Sequence, residues 1–203
     1  MIAIIDYGVG NLFSLSSSLN MIGAECVITS DPVLIKSADR IILPGVGAFG
    51  DAREKLRESG LDKLIVSEVN SGKKIMGICL GMQMLFERSF EYGEHEGLGL
   101  VPGSVVSMEG RISPELKIPH IGWNSLDVKK SHPVFKYVKN GDFVYFVHSY
   151  YAEGCGEALL ANTDYGVPIT AAVANGNVTG MQFHPEKSGE VGLGILKAFA
   201  EWQ

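Results

Sequence analysis

The sequence predicts an α/β protein: a mostly parallel sheet flanked by helices, with an antiparallel extension in the C-terminal half. Two observations carry this expectation. In the N-terminal part, up to Ile78, short apolar runs alternate with longer segments of helical period, the rhythm of βα units. From Val105 onward the texture changes to shorter strand-like pieces separated by Gly, Asn and Pro.

Taken in order, Ile2 to Ile5, Cys26 to Ile28, Arg40 to Leu43 and Lys74 to Ile78 read as strands, being short and rich in β-branched residues. Leu12 to Ile22, Asp51 to Glu58 and Leu61 to Ser71 lie between them and repeat apolar residues three and four apart, which suits crossover helices. Val144 to Val147, Ile169 to Val173 and Val178 to Met181 read as the strands of the extension. Val191, Ile195, Phe199 and Trp202 recur at helical spacing, predicting a final helix over one sheet face. No internal repeat or linker is visible, so one domain over residues 1–203 is expected. A parallel sheet of this kind carries its site at the carboxyl ends of its strands.

Composition narrows the function classes. The chain is 46% hydrophobic and 20% charged with a net charge of −6, and its Lys and Arg are scattered, so no basic face is available for nucleic acid. Met1-Ile2-Ala3-Ile4-Ile5 lacks a basic n-region and stops at Asp6, unlike a signal sequence, and nothing approaches a membrane span. Three cysteines, Cys26, Cys79 and Cys155, without metal-ligand spacing argue against a disulfide framework or a zinc site and for a cytoplasmic setting. Cys26 and Cys155 read as small buried hydrophobes.

Cys79 stands apart. It joins the strand at Lys74 to Ile78 to a segment of good helix formers, with Gly77 and Gly81 two residues to either side, a G-x-C-x-G counterpart of the nucleophile elbow. The following helix start favours a thiolate and can receive an oxyanion. With 25 glycines in the chain, chance would flank one of three cysteines in this way about one time in twenty, so the pentapeptide needs support from elsewhere.

Support comes from His184-Pro185-Glu186, directly after the apolar segment ending at Phe183. Proline pushes His184 toward extended backbone, and in an extended segment residues two apart share a side, which would place the Glu186 carboxylate by the imidazole. Imidazole can protonate a departing nitrogen near neutral pH, and the carboxylate can fix its tautomer. Without Cys79 a solvated surface turn would be the better reading. Gly8-Val9-Gly10 after the first strand invites a dinucleotide fingerprint, but Phe13 occupies the sixth position, and no nucleotide, metal or other cofactor is expected.

The segments Asp6-Tyr7-Gly8-Val9-Gly10-Asn11, Pro44 to Gly50, Gly77 to Gln83, Pro119-His120-Ile121-Gly122-Trp123-Asn124 and Gly180 to Ser188 together resemble the class I, triad-type glutamine amidotransferases. Within them they resemble most the glutaminase subunits of imidazole glycerol phosphate synthase, nearly end to end; related amidotransferases often carry His where Met82 stands. The resemblance implies a flavodoxin-like fold and a Cys79, His184, Glu186 triad that hydrolyses L-glutamine. It implies oxyanion amides at Val46 and Leu80 and glutamine held by Gly45, Gly47, Gln83, His148, Ser149 and Tyr150. It also implies a heterodimer with a (β/α)8-barrel cyclase subunit, reached through Asn11, Trp123 and Lys187, and low activity until that partner reorients the Gly45 to Gly47 loop.

Several of these positions have plainer readings from the residues alone. Trp123 in a Pro- and Gly-containing turn would be a core or cap aromatic, and His148, alternating with apolar neighbours, could be a satisfied histidine in a sheet. His95, His120 and His132 receive no catalytic role. The competing functions are the glutaminase of another pathway, a cysteine hydrolase of similar fold, and a non-catalytic binding module whose cysteine merely packs.

Overall fold

The computed structural model describes residues Met1–Gln203. β1 (Ile2–Ile5), α1 (Leu12–Met21), β2 (Cys26–Thr29), α2 (Pro32–Ser37), β3 (Arg40–Leu43), α3 (Phe49–Glu58), α4 (Leu61–Asn70) and β4 (Lys74–Ile78) make up the βα region. α5 (Leu80–Met84) follows at once, then β5 (Phe86–Ser89), β6 (His95–Glu96), β7 (Val101–Ser107), β8 (His120–Ser125), β9 (Asp127–Val128), β10 (Phe143–His148) and β11 (Tyr150–Glu153). β12 (Leu159–Asp164), β13 (Pro168–Asn175), β14 (Val178–Met181) and α6 (Gly189–Glu201) complete the chain.

The main sheet has the order β2-β1-β3-β4-β14-β13-β12-β9. Its pairs are parallel from β2 to β14 and antiparallel from β14 to β9, so the extension joins the parallel sheet through β14. Alternate residues of the parallel strands point to opposite faces. Ala3, Ile5, Ile41, Leu43 and Ile75 pack with Ile35, Phe49, Leu56 and Ile65 from α2, α3 and α4. Ile2, Ile4, Ile42, Met76 and Ile78 pack with Leu15, Leu19, Ile195 and Phe199 from α1 and α6. Burying both faces explains why these strands read as unbroken apolar runs.

Three features were not expected. α2 is too short for periodicity to reveal, yet its start is well marked: Asp31 accepts from the Val33 N–H at 2.8 Å and Pro32 occupies the first turn. A second sheet, β11-β7-β5-β6, and a two-stranded ribbon, β10-β8, stand outside the main one. Trp123 belongs to β8 of that ribbon and is 55% exposed, so it is neither a core nor a turn-capping aromatic. Of the two cysteines read as buried, Cys155 is buried and Cys26, on edge strand β2, only partly. No helix is long and apolar enough to cross a membrane.

Candidate active site

β4 ends at Ile78, and Cys79 turns the chain into α5 with φ 53 and ψ −113, a conformation that non-glycine residues avoid and that marks stored backbone strain. Two hydrogen bonds hold it. The Cys79 N–H donates to Met181 O at 2.7 Å, and the Gln83 N–H donates to Cys79 O at 3.1 Å, closing the first turn of α5. The flanking glycines are required by space: a Cβ on Gly77 would stand 2.7 Å from Gly81 O and Met82 N, and one on Gly81 would overlap the Leu43 carbonyl. Leu80 is the first residue of α5, so its N–H has no acceptor within the helix.

The histidine arrives from β14, the neighbour of β4 in the sheet. Its backbone N–H donates to Tyr145 O of β10 at 3.0 Å. Ser188 Oγ ties the same segment down by donating to His184 O at 2.6 Å and accepting from the Tyr145 N–H at 3.0 Å. His184 Nδ1 lies 2.8 Å from Glu186 Oε1, with the two side chains 3% and 4% exposed. The pairing comes about differently from the sequence expectation. His184 is extended, but Pro185–Lys187 form a 3₁₀ turn, and that turn, rather than strand alternation, brings the carboxylate back to the ring.

A carboxylate accepts, so Nδ1 carries the proton and Nε2 is left for Cys79. Nε2 is buried and falls outside hydrogen-bonding geometry to any partner, yet Cys79 is near enough to act on its charge. Burial disfavours the imidazolium, but Cys79 and Glu186 together outweigh it and carry His184 up to about 10.

Cys79 and His184 open into a cavity of about 350 Å³. Val46, Gly47, Leu80, Gln83, His148, Ser149 and Tyr150 also line it, as does Lys187. Gly45 does not; it is packed beneath, where a Cβ would stand 2.8 Å from Gly81 N and 2.9 Å from Tyr7 Oη. The Tyr7 hydroxyl anchors this loop by donating to Pro44 O at 2.8 Å. Glu186 stays behind the histidine, and Asn11, at the start of α1, is likewise not part of the cavity wall.

Both ring nitrogens of His148 are committed. Nδ1 lies 2.9 Å from Tyr150 O, which can only accept, so Nδ1 carries the proton; Nε2 therefore accepts from His120 Nδ1 at 3.1 Å. Burial pushes His148 down to about 3 and His120 to about 4, keeping the pair neutral beside the charged His184. What His148 offers the cavity is its ring face and main chain.

Sequence reasoning missed Glu91, Tyr92, Pro119 and Val147 of the wall. Glu91 is buried, accepts from the Phe49 N–H at 2.7 Å, and is raised by burial against that hydrogen bond. It lies in an acidic loop where nothing local distinguishes it from its neighbours. Gln182 was also missed, although it stands inside the quoted Gly180 to Ser188 segment.

The family model for class-I glutamine amidotransferases matches residues 3–201. A protein of Oceanobacillus iheyensis named imidazole glycerol phosphate synthase subunit HisH is 52% identical over 202 residues, 99% of this chain and 98% of its own. The protein of that name from Caldanaerobacter subterraneus subsp. tengcongensis is 52% identical over 203 residues, again 99% and 98%. Among solved structures, PurLQS from Thermotoga maritima superposes with a TM-score of 0.76 at 23% identity, covering 98% of this chain and 96% of that one. A crystal structure of a glutamine amidotransferase gives a TM-score of 0.74 at 19% identity, with 95% of each chain covered. At these identities the solved structures speak for the fold alone.

Proposed function

This chain belongs to the class-I glutamine amidotransferase family, and on that footing we propose that it is the glutaminase subunit of an imidazole glycerol phosphate synthase in histidine biosynthesis. Its single amidotransferase domain spans residues 1–203. The observation that carries the chemistry is that the strained Cys79 turn and His184, backed by its buried Glu186 partner, open into one cavity.

Cys79 attacks the δ-carbonyl of L-glutamine, and the amides of Leu80 and Val46 hold the tetrahedral oxyanion. His184, charged by the proton of the thiol, protonates the departing nitrogen, leaving a γ-glutamyl thioester and ammonia. The imidazole then takes a proton from water, whose oxygen attacks the thioester; the C–S bond breaks, the sulfur leaves as thiolate, and L-glutamate forms. Glu186 keeps Nδ1 protonated throughout, so Nε2 is the nitrogen that exchanges protons. Free glutamine also carries an α-ammonium, and the Glu91 carboxylate in the cavity wall is the group suited to it.

The ammonia passes to a cyclase subunit, a (β/α)8 barrel that makes imidazole glycerol phosphate and an aminoimidazole carboxamide ribotide. The relatives' name, a subunit of a synthase, supports a partner. An apolar surface beside the cavity supports its position. Tyr145 pairs with Trp123 and Val147 with Ile121, so Phe143, Tyr145, Val147, Ile121 and Trp123 share the outer face of the β8–β10 ribbon. Ile121, Trp123 and Phe143 are each more than half exposed, and Val147 also lines the cavity.

Cys79→Ala is the direct test. It should abolish release of glutamate and ammonia from glutamine while the paired cyclase still forms product from added ammonium salt. Hydrolysis at the unmodified rate in that variant would refute the mechanism, and an active chain that never supplies nitrogen to the cyclase would refute the pathway.

A further inference from the structure

Gln182 occupies a place that the mechanism leaves without a role. Met181 of β14 pairs with Ile78 of β4 in parallel register, so the next residues, Gln182 and Cys79, leave the carboxyl edge of the sheet side by side. Gln182 is fully buried, and its side-chain nitrogen lies 3.9 Å from Cys79 Sγ. A buried primary amide is costly unless its polar atoms are used.

The direction of that amide is set by a chain of obligate partners. Tyr150 O can only accept, so the Gln83 atom 3.0 Å from it is the Nε2 donor. The same Nε2 lies 3.0 Å from Gln182, whose facing atom must therefore be Oε1. What remains for the sulfur is the Gln182 NH₂ group. Besides the His184 ring, Cys79 Sγ has Val147 O at 3.8 Å. The carbonyl and the amide suit two states of the sulfur: a thiol S–H donates to the Val147 carbonyl, whereas a thiolate is repelled by it and accepts from the amide.

We propose that Gln182 holds the Cys79 thiolate next to His184 by donating from Nε2, with its amide turned toward the sulfur by Gln83. The helix start and His184 are then two of three groups that favour the anion. The third comes from the strand alongside. The proposal rests on Cys79 as the nucleophile, and the two can fail separately.

Gln182→Glu is the informative variant. It keeps the length of the side chain and an oxygen for the Gln83 donor, but turns an acceptor to the sulfur. The rate of Cys79 alkylation by iodoacetamide, read across pH on the peptide that carries Cys79, should have its midpoint moved up by about one unit or more, and be slowed about tenfold or more near neutrality. For glutamine hydrolysis, kcat should fall about 10- to 100-fold with KM changing by less than about threefold. A folded variant that alkylates with the midpoint and rate of the unmodified chain overturns the assignment.

A second measurement needs no Gln182 variant. In the unmodified chain the Gln182 side-chain amide protons should shift with the same pH midpoint as Cys79 alkylation, and in Cys79→Ala that titration should vanish. An amide signal indifferent to pH, or one titrating identically without Cys79, overturns the proposal. Persistent hydrolysis in Cys79→Ala would instead overturn the nucleophile itself.

Discussion

Replacing Glu186 with Gln tests the role of His184 with almost no change in volume. Oε1 lies 2.8 Å from His184 Nδ1, while Oε2 is buried without a partner. Glutamine can occupy this site in two ways. With its carbonyl toward Nδ1, the NH₂ takes the Oε2 position and becomes a buried donor with nothing to bond, a cost of about 1–3 kcal/mol. With its NH₂ toward Nδ1, that nitrogen must give up its proton, and the imidazole, protonated on Nε2, can no longer accept from Cys79.

In either arrangement the imidazolium loses an adjacent anion, worth about 1.5–3 kcal/mol for a charged hydrogen bond, and the tautomer error alone can cost up to about 10⁴ in rate. The expectation is a kcat for glutamine hydrolysis lowered by about 10²- to 10⁴-fold, with KM much less affected. The pH dependence should move as well. His184 sits at about 10 in the native state against 6.5 unfolded, so its contribution to stability is fully present below 6.5 and is lost as pH rises through about 10. Without Glu186 the upper edge of that window falls. Glutamate release at saturating glutamine, coupled to glutamate dehydrogenase and followed from about pH 6 to about pH 11, reads both effects. A kcat within about threefold of the unmodified chain and an unmoved alkaline limb would refute the reasoning.

Three further outcomes follow from the geometry. Gly81→Ala should destabilise the fold by about 3–5 kcal/mol, because its methyl group meets the Leu43 carbonyl with backbone on both sides; an unchanged urea midpoint would contradict this. His120 and His148, held at about 4 and about 3 by burial, stay neutral in the native state while the unfolded chain protonates them at 6.5, so their stabilisation is present above 6.5 and lost as pH falls. Between pH 7 and 5 this amounts to roughly 2 kcal/mol for each, against a gain of under about 1 kcal/mol from His184, and urea titrations should show the net loss. Glu91→Gln should raise KM for glutamine about tenfold or more with a smaller effect on kcat, and an unaltered KM would remove Glu91 from the binding of the α-ammonium.

The four N-terminal strands and the helices α1, α3 and α4 were readable within two residues at either end, because burial on both sheet faces writes β1, β3 and β4 as apolar runs, the partly exposed edge strand β2 is still β-branched, and the helices carry long amphipathic periods. α2 escaped because six residues do not complete two turns, although Asp31-Pro32 marked its start. Of the ribbon, β10 was readable as Val144 to Val147, though not its place outside the main sheet; β8 escaped because its exposed positions Ile121 and Trp123 are apolar and its inward ones are His120, Gly122 and Asn124, so hydrophobic alternation does not identify it. At the site, the His184–Glu186 pairing was anticipated through the wrong backbone geometry, since a proline that favours extension before it also starts a 3₁₀ turn after it.

From the sequence alone one could learn that a cysteine is held in a turn only glycines can flank, that a histidine with a carboxylate two residues away ends a later strand, and that the chain alternates into an α/β sheet. Those are local matters of side-chain volume and periodicity. The tertiary structure decided what closes round the sulfur: the Val147 carbonyl 68 residues away, the Gln182 amide 103 away, and the buried Glu91 in the wall. Such contacts depend on the register in which β4 meets β14 and on β10 lying against the His184 segment that follows β14. A slip of one residue would turn every side chain to the opposite face, and no local pattern specifies that choice.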